Sequence, residues 1–335
     1  MPEGSPSPGL QVIPLHGLPE VVAGDDLAAL LLGVAVLQPG DVLVVSSKVV
    51  SKAAGLTRPA STRDAVVDAE TVRVVAERRT PRGVARVVES AAGPVMAAAG
   101  VDASNTAAGT VLVLPPDPDA SARELRHRLG SLGAPALAVV VTDTAGRAWR
   151  TGQTDFALGC AGLTVVDDLR GTVDASGVQL EVTERALADE VAAAADLVKG
   201  KASGVPAAVV RGLAHHVTQD DGPGAAALLR PPGSDWFRLG HVEAVRAALG
   251  VPSGAVEPAS VLPESLRDRV SRTAQLAGGN AVVGDDGSEV TLRADDDFAL
   301  GMLASRLVTA LWSEDLRGEV VRHPDGGCVV RVQSA

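Results

Sequence analysis

Short apolar runs separated by polar, Pro- and Gly-rich punctuation set the pattern of this 335-residue chain. Residues 10–19, "LQVIPLHGLP", predict a strand running into a turn. Residues 23–36, "AGDDLAALLLGVAV", predict a helix capped by Asp25 or Asp26, whose carboxylate can accept the free N–H groups of the first turn. Pro39–Gly40 opens the strand "DVLVV", which runs into the polar stretch "SSKVVSKAAG". Residues 62–79 predict a charged amphipathic helix, and 84–98, 110–114 and 136–142 predict apolar strands or core segments. The helix "SARELRHRLGSLG" separates the last two. A strand, a helix and a Gly/Lys loop are expected over 180–204, and another strand over 205–213. This alternation predicts an α/β or α+β domain.

The pattern changes near residue 216, where "HVTQDDGPGAAALLRPPGSDWFRLG" reads as an arm docked by Trp236 and Phe237. A short helix near 241–249 is followed by a Pro- and Gly-containing stretch. Residues 262–333 predict helix, short strands, helix and strand, hence a small α+β domain. The organisation expected is a flexible tail over 1–9, a main domain over 10–248, a linker over 249–261 and a small C-terminal domain over 262–335.

Composition narrows the function. Aromatic residues make up 2% of the chain and Tyr is absent, so the core must be built from Val, Leu and Ala. A formal net charge of −11 argues against a nucleic-acid binder, because phosphate neutralisation needs clustered Lys and Arg. Two distant cysteines, Cys160 and Cys328, suggest neither a disulfide framework nor a zinc site, and fit a reducing cytoplasm. "MPEGSPSPG" lacks the features of a signal peptide, and no apolar run is long enough to predict a membrane span.

Candidate chemistry gathers where apolar runs end. "VVVTDTAGRAWR" delivers Asp143 and Thr144 just past a buried-looking strand, the edge at which open α/β sheets bind ligands. A carboxylate and a hydroxyl suit Mg2+ or Mn2+, although an Asx turn gives the same signal. "VDASN" offers Asp102 and Asn105 with the same two readings. Ser47, Lys48, Ser51 and Lys52 in "SSKVVSKAAG" can hold phosphate oxygens, or protect an exposed strand edge. Lys199 and Lys201 in "LVKGKASG" suggest a phosphate loop, or an ordinary helix end. There is no P-loop, no dinucleotide fingerprint and no nucleophile elbow.

Taken together, these stretches resemble the coenzyme F420-0:L-glutamate ligase (F420 γ-glutamyl ligase) family. The resemblance runs in order through "IPLHGLPEVVAGDDLAALL", "GDVLVVSSKVVSKAAG", "AAGVDASN", "VLPPDPDASA", "VVVTDTAGRAWRTGQTDFALGCAGL", "EVTERALADEVAAAADLVKGKASGVPAAVVRGL" and "LLRPPGSDWFRLG", from residue 10 to about residue 240. The last two look most like the actinobacterial branch. It implies the family's α/β ligase fold, an intimate homodimer, two divalent metal sites filled by Mg2+ or Mn2+, and GTP as co-substrate. By motif, Leu18, Pro19, Glu20 and Val21 would lie along GTP, with Ser47, Lys48 and Lys52 also on the nucleotide side. Asp102, Asp143 and Thr144 would be metal ligands and Asn105 a nucleotide contact, with Asp102, Asp143 and Lys52 carrying the chemistry. Residues 199–205 match the family's Gly-rich phosphate loop. Archaeal members carry an acidic residue where this chain has Lys201, so Lys201 is expected to meet phosphate charge directly.

In the actinobacterial branch a C-terminal nitroreductase-like domain binds FMN. The Arg/Ser-rich stretch that opens it is missing here, so residues 262–335 are expected to be a shortened remnant without FMN. The implied reaction joins L-glutamate to coenzyme F420-0 through an acyl phosphate. A non-catalytic F420-binding scaffold and a metal-dependent phosphohydrolase remain as alternatives at this point.

Overall fold

A computed structural model describes residues 9–200, 203–323 and 326–334. Nearly all of the expected tail, and Lys201, therefore lie outside the described residues. The chain divides into two compact units, Met1–Thr71 with Ser90–Pro231, and Val72–Glu89 with Pro232–Ala335.

The first unit is built on a five-stranded sheet. Its order is Gln11–Pro14, Ala207–Arg211, Val42–Ser46, Ala138–Arg147, Arg150–Ala161. Val42–Ser46 and Ala138–Arg147 run parallel, and every other neighbouring pair in this sheet is antiparallel. The alternation of the strands feeds two cores. Leu43, Val45, Val139 and Val141 pack with Leu27, Leu31 and Leu129, from the helices Leu27–Val34 and Pro118–Ser131. Val42, Val44, Val140 and Val210 pack with Leu187, Val191 and Ala195 of the helix Leu187–Lys199. Strands covered on both faces read as continuous apolar runs, which is why "VLVV" and "AVVV" show no polar alternation. The fold is mixed α/β, as expected.

Caps set the helix starts. Asp26, rather than Asp25, accepts the Ala29 N–H at 3.2 Å, and Asp117 accepts that of Ala120 at 2.7 Å. The helix Pro118–Ser131 lies close against the strand Arg150–Ala161 at Gly159, where a Cβ would stand 2.1 Å from the Pro118 carbonyl oxygen. Only glycine permits that approach.

The second unit holds most of the hairpin formed by Thr71–Thr80 and Gly83–Ser90, the helices His241–Ala248, Leu266–Ala277 and Asp297–Leu311, and a four-stranded antiparallel sheet. That sheet runs Asn280–Val283, Glu289–Arg293, Cys328–Ser334, Leu316–Arg322. Val270, Leu292, Leu307 and Val330 are fully buried in its core. Arg246 pairs with buried Glu77 at 3.1 Å, and Arg272 pairs with Glu264 at 2.6 Å and Glu314 at 2.5 Å.

Four expectations change. The helix expected over 62–79 is only Arg63–Ala69, and the β-branched run "TVRVV" continues as a strand. The polar stretch after Val45 is a helix, Ser47–Ala53, capped by Ser46. Residues 249–261 are not an open linker, because Leu249 and Val256 are buried with Leu276 and Ala310. Trp236 and Phe237 do not dock their arm: they stand 89% and 61% exposed, while Val242 is buried and the Gly240 N–H donates to the Val75 carbonyl at 2.8 Å.

Candidate active site

The single parallel pair of the central sheet brings two strand ends together, with Ser46 opposite Thr142. Chain leaving those carboxyl ends lines a cavity of about 520 Å³ in the first unit. From the first strand comes the helix Ser47–Ala53, which carries Lys48 and Lys52 one turn apart on one face. From the second come Asp143 and Thr144. The turn Leu18–Val21, the loop holding Asn105, and Lys199 with Gly200 at the end of the helix Leu187–Lys199 complete the lining.

Leu18, Pro19, Glu20, Val21, Lys48, Lys52, Asn105, Asp143 and Thr144 thus converge on one cavity, although they come from four separate stretches of sequence. Ser47 does not join them. It is buried at 1% exposure under the helix start, and its neighbour Ser46 lines the cavity instead. Asp102 stands behind the lining and reaches it through Lys48, whose Nζ lies 2.5 Å from Asp102 Oδ2. Arg147 and Arg150 flank the far turn of their hairpin and do not line the cavity.

The charges are distributed unevenly. Burial raises the Asp102 pKa, but the Lys48 ammonium and the Ser104 N–H and hydroxyl outweigh it and hold the carboxyl below its ordinary value. Ser104 donates both its N–H and its hydroxyl to that carboxylate at 2.8 Å, in an Asx turn. Asp143 is pushed up to about 6, first by burial and further by the Asp102 and Asp155 carboxylates, against the Thr144 N–H and the Lys48 charge. Lys52 pairs with the exposed carboxylate of Glu20 at 2.6 Å.

A buried carboxylate that resists ionisation is a good place for a cation, since a positive charge there recovers the lost solvation. Among the described residues no group of three or more His, Cys, Asp or Glu side chains is arranged to hold a metal ion. A divalent ion at Asp143 would need oxygens from water or phosphate to complete its shell. That is the habit of Mg2+, which takes one or two carboxylates and keeps the remaining positions for substrate phosphate. Asp143 and Thr144 fit such an ion, Asp102 can join them once Lys48 leaves it for phosphate, and Lys48 and Lys52 fit the phosphates.

Four polar residues that the sequence did not single out also line the cavity: Thr106, Thr142, Asp155 and Asp196. Lys199, which the sequence offered only within a loop, is buried there at 4% exposure. Strand register explains Asp155, which stands directly opposite Thr144.

Comparison with known proteins agrees with this geometry. Residues 17–212 match the family described as F420-0:Gamma-glutamyl ligase. The chain belongs to that family. It is 40% identical over 255 residues to the coenzyme F420:L-glutamate ligase of Methanopyrus kandleri, spanning 70% of this chain and 99% of that protein. It is 40% identical over 219 residues to the protein of the same name from Archaeoglobus fulgidus, covering 61% and 88% of the two chains. With the Haloarcula marismortui ligase it shares 37% identity over 250 residues, 68% of this chain and 96% of the relative. The ligase match holds every cavity-lining residue named above and ends before Pro232–Ala335, the larger part of the second unit. No described helix is long and apolar enough to cross a membrane.

Proposed function

We propose that this ligase joins L-glutamate to coenzyme F420-0 in a GTP- and divalent-metal-dependent reaction that passes through an acyl phosphate. The observation that carries the reading is the convergence of Lys48, Lys52, Asp143 and Thr144 on one cavity of about 520 Å³. Forming an amide from a carboxylate needs activation, and nucleotide chemistry supplies it when phosphate charge is neutralised.

In this reading the Leu18–Val21 turn and Asn105 hold the nucleotide, while Lys48 and Lys52 face its phosphates. A divalent ion held by Asp102, Asp143 and Thr144 would neutralise phosphate charge during transfer. The terminal F420-0 carboxylate attacks the γ-phosphorus and GDP leaves. The glutamate α-amine then attacks the acyl carbon, the C–O bond to phosphate breaks, and the nitrogen loses a proton as the amide forms. Lys52 counters the charge on the departing oxygens. Its salt bridge to exposed Glu20 is weak enough to be exchanged for phosphate.

The test is incubation with GTP, Mn2+ and F420-0, with and without glutamate, read by product mass and nucleotide analysis. The expected result is a mass gain of one or more glutamyl residues, with GDP and phosphate released, only when glutamate is present. GDP and phosphate without a mass gain would indicate a phosphohydrolase. Tight binding of F420-0 without turnover would indicate a non-catalytic binder.

A further inference from the structure

The cavity contains a buried ion pair that the reaction above does not use. Lys199 Nζ lies 2.7 Å from Asp155 Oδ2 and 2.7 Å from Thr142 Oγ1. Thr142 Oγ1 lies 2.9 Å from the same carboxylate oxygen, and Thr144 Oγ1 lies 2.7 Å from Asp155 Oδ1. Lys199, Asp155 and Thr142 are 4%, 5% and 0% exposed.

Hydrogen-bond chemistry fixes the direction of every proton in this cluster. An ammonium only donates and a carboxylate only accepts. Thr142 must therefore accept from Lys199 and donate to Asp155. Thr144 has one hydroxyl proton, and Asp155 Oδ1 takes it. The Thr144 oxygen is left with lone pairs alone. We propose that Asp155, pinned by Lys199 and Thr142, is the positioning residue that locks the Thr144 hydroxyl with its lone pairs available to a divalent cation. The inference rests on the metal-dependent reading of the site given above.

The same geometry makes Asp155 a poor ligand itself. Both its oxygens already accept hydrogen bonds, and an ammonium at 2.7 Å repels a second cation. Burying a lysine and an aspartate also costs solvation that their attraction does not reliably recover, so the pair is poorly explained as a stabilising device. As an orienting device it has a clear use. A free threonine hydroxyl rotates and can point its proton into the site, whereas this one cannot.

The experiment is a double-mutant cycle on Mn2+ affinity, measured calorimetrically on the full chain without nucleotide or F420-0. Thr144→Val removes the hydroxyl; Asp155→Asn leaves one acceptor oxygen, which Lys199 and Thr142 claim, and turns a donating NH2 toward Thr144 in place of the oxygen that oriented it; the third variant carries both. Each single variant should weaken Mn2+ about tenfold, the range seen when supporting shells of metal sites are altered. The double variant should be no weaker than Thr144→Val alone, and Thr144→Ser should bind as the wild type does. If Asp155→Asn lowers the urea midpoint enough to impair folding, Asp155→Asn with Lys199→Gln replaces it in the cycle and removes both buried charges together. Equal losses from the Asp155 change in the Thr144 and Thr144→Val backgrounds would overturn the positioning role and leave the metal reading intact. No Mn2+ binding by the wild-type chain would overturn both.

Discussion

Asp143 should cost the metal-free protein stability, and replacing it should give that stability back. Its carboxyl rises from 3.8 to about 6 on folding, chiefly because burial penalises the charged form. The shift has the opposite sign to that of a salt-bridged aspartate. The unfolded chain ionises first, so the penalty begins above 3.8 and is complete above about 6. Two pKa units correspond to about 3 kcal/mol. The side chain keeps some exposure, and solvent screening reduces the figure to about 1–2 kcal/mol. Asp143→Asn should therefore raise the urea midpoint of the metal-free protein at pH 8. The gain should shrink as pH falls through 6 and be nearly gone by about pH 3, where both states are largely protonated. Adding Mn2+ at pH 8 should reverse the order. At a hundred times its Kd the ion stabilises a protein that binds it by about 2.7 kcal/mol, and the Asn variant should lose most of that gain. The same variant should lose ligation by a hundredfold or more. An Asn variant no more stable than wild type without metal at pH 8, or a gain that does not change with pH, would refute the account of Asp143.

Three further outcomes follow from other contacts. Lys52→Met should lower kcat/KM for GTP by about two orders of magnitude while changing the urea midpoint little, since its partner Glu20 is exposed; a normal kcat/KM removes Lys52 from the nucleotide side. Gly159→Ala should destabilise the first unit by about 2 kcal/mol or more, because the new methyl meets the Pro118 carbonyl, a backbone atom that cannot swing away; an unchanged midpoint would show that the helix is free to shift. Ending the chain after residue 248 should give insoluble or weakly folded protein, because it removes the buried Leu249, Val256, Leu276 and Ala310 that pack against Val245, and takes Glu264 from Arg79; soluble, active truncated protein would show that residues 249–335 are dispensable.

Much of the first unit was legible in the sequence for a simple reason. Strands covered on both faces must be apolar at every position, so Val42–Val45 and Ala138–Val141 announce themselves as runs. Asp143 and Thr144 were legible because they break such a run at its carboxyl end. The serine that lines the cavity was missed by one position, because helix follows strand without a turn: Ser46 caps and faces the cavity while Ser47 is buried. Asp155 was not legible because its meaning depends on register. A bulge between Val141 and Thr142 sets which residue stands opposite Thr144, and nothing in "RTGQTDFALG" alone reports that pairing. The second unit was misdrawn for a related reason. Pro and Gly mark irregular backbone, and irregular backbone can still bury Leu249 and Val256.

In the proposed reaction, the cavity would let a chain of net charge −11 host phosphate chemistry without a broad basic surface. Its carboxylates do not share one state. Asp102 has Lys48 in contact, and Asp155 has Lys199 in contact together with two hydroxyl donors. Asp143 has no ammonium in contact among the described residues, and it is the one whose carboxyl is pushed up. Pairing two carboxylates with lysines satisfies them within the protein and leaves their neighbour as the point of greatest demand for positive charge. If all three were unpaired, their mutual repulsion would favour protonation over cation binding. If all three were paired, the site would have no need of an ion. In the proposed reaction, a carboxylate with no ammonium in contact among the described residues, beside two that have one, would keep the negative charge low enough for phosphate to enter and concentrated enough to draw a divalent cation to one position. Lys52, paired with exposed Glu20, would remain exchangeable for the phosphate that arrives with the ion.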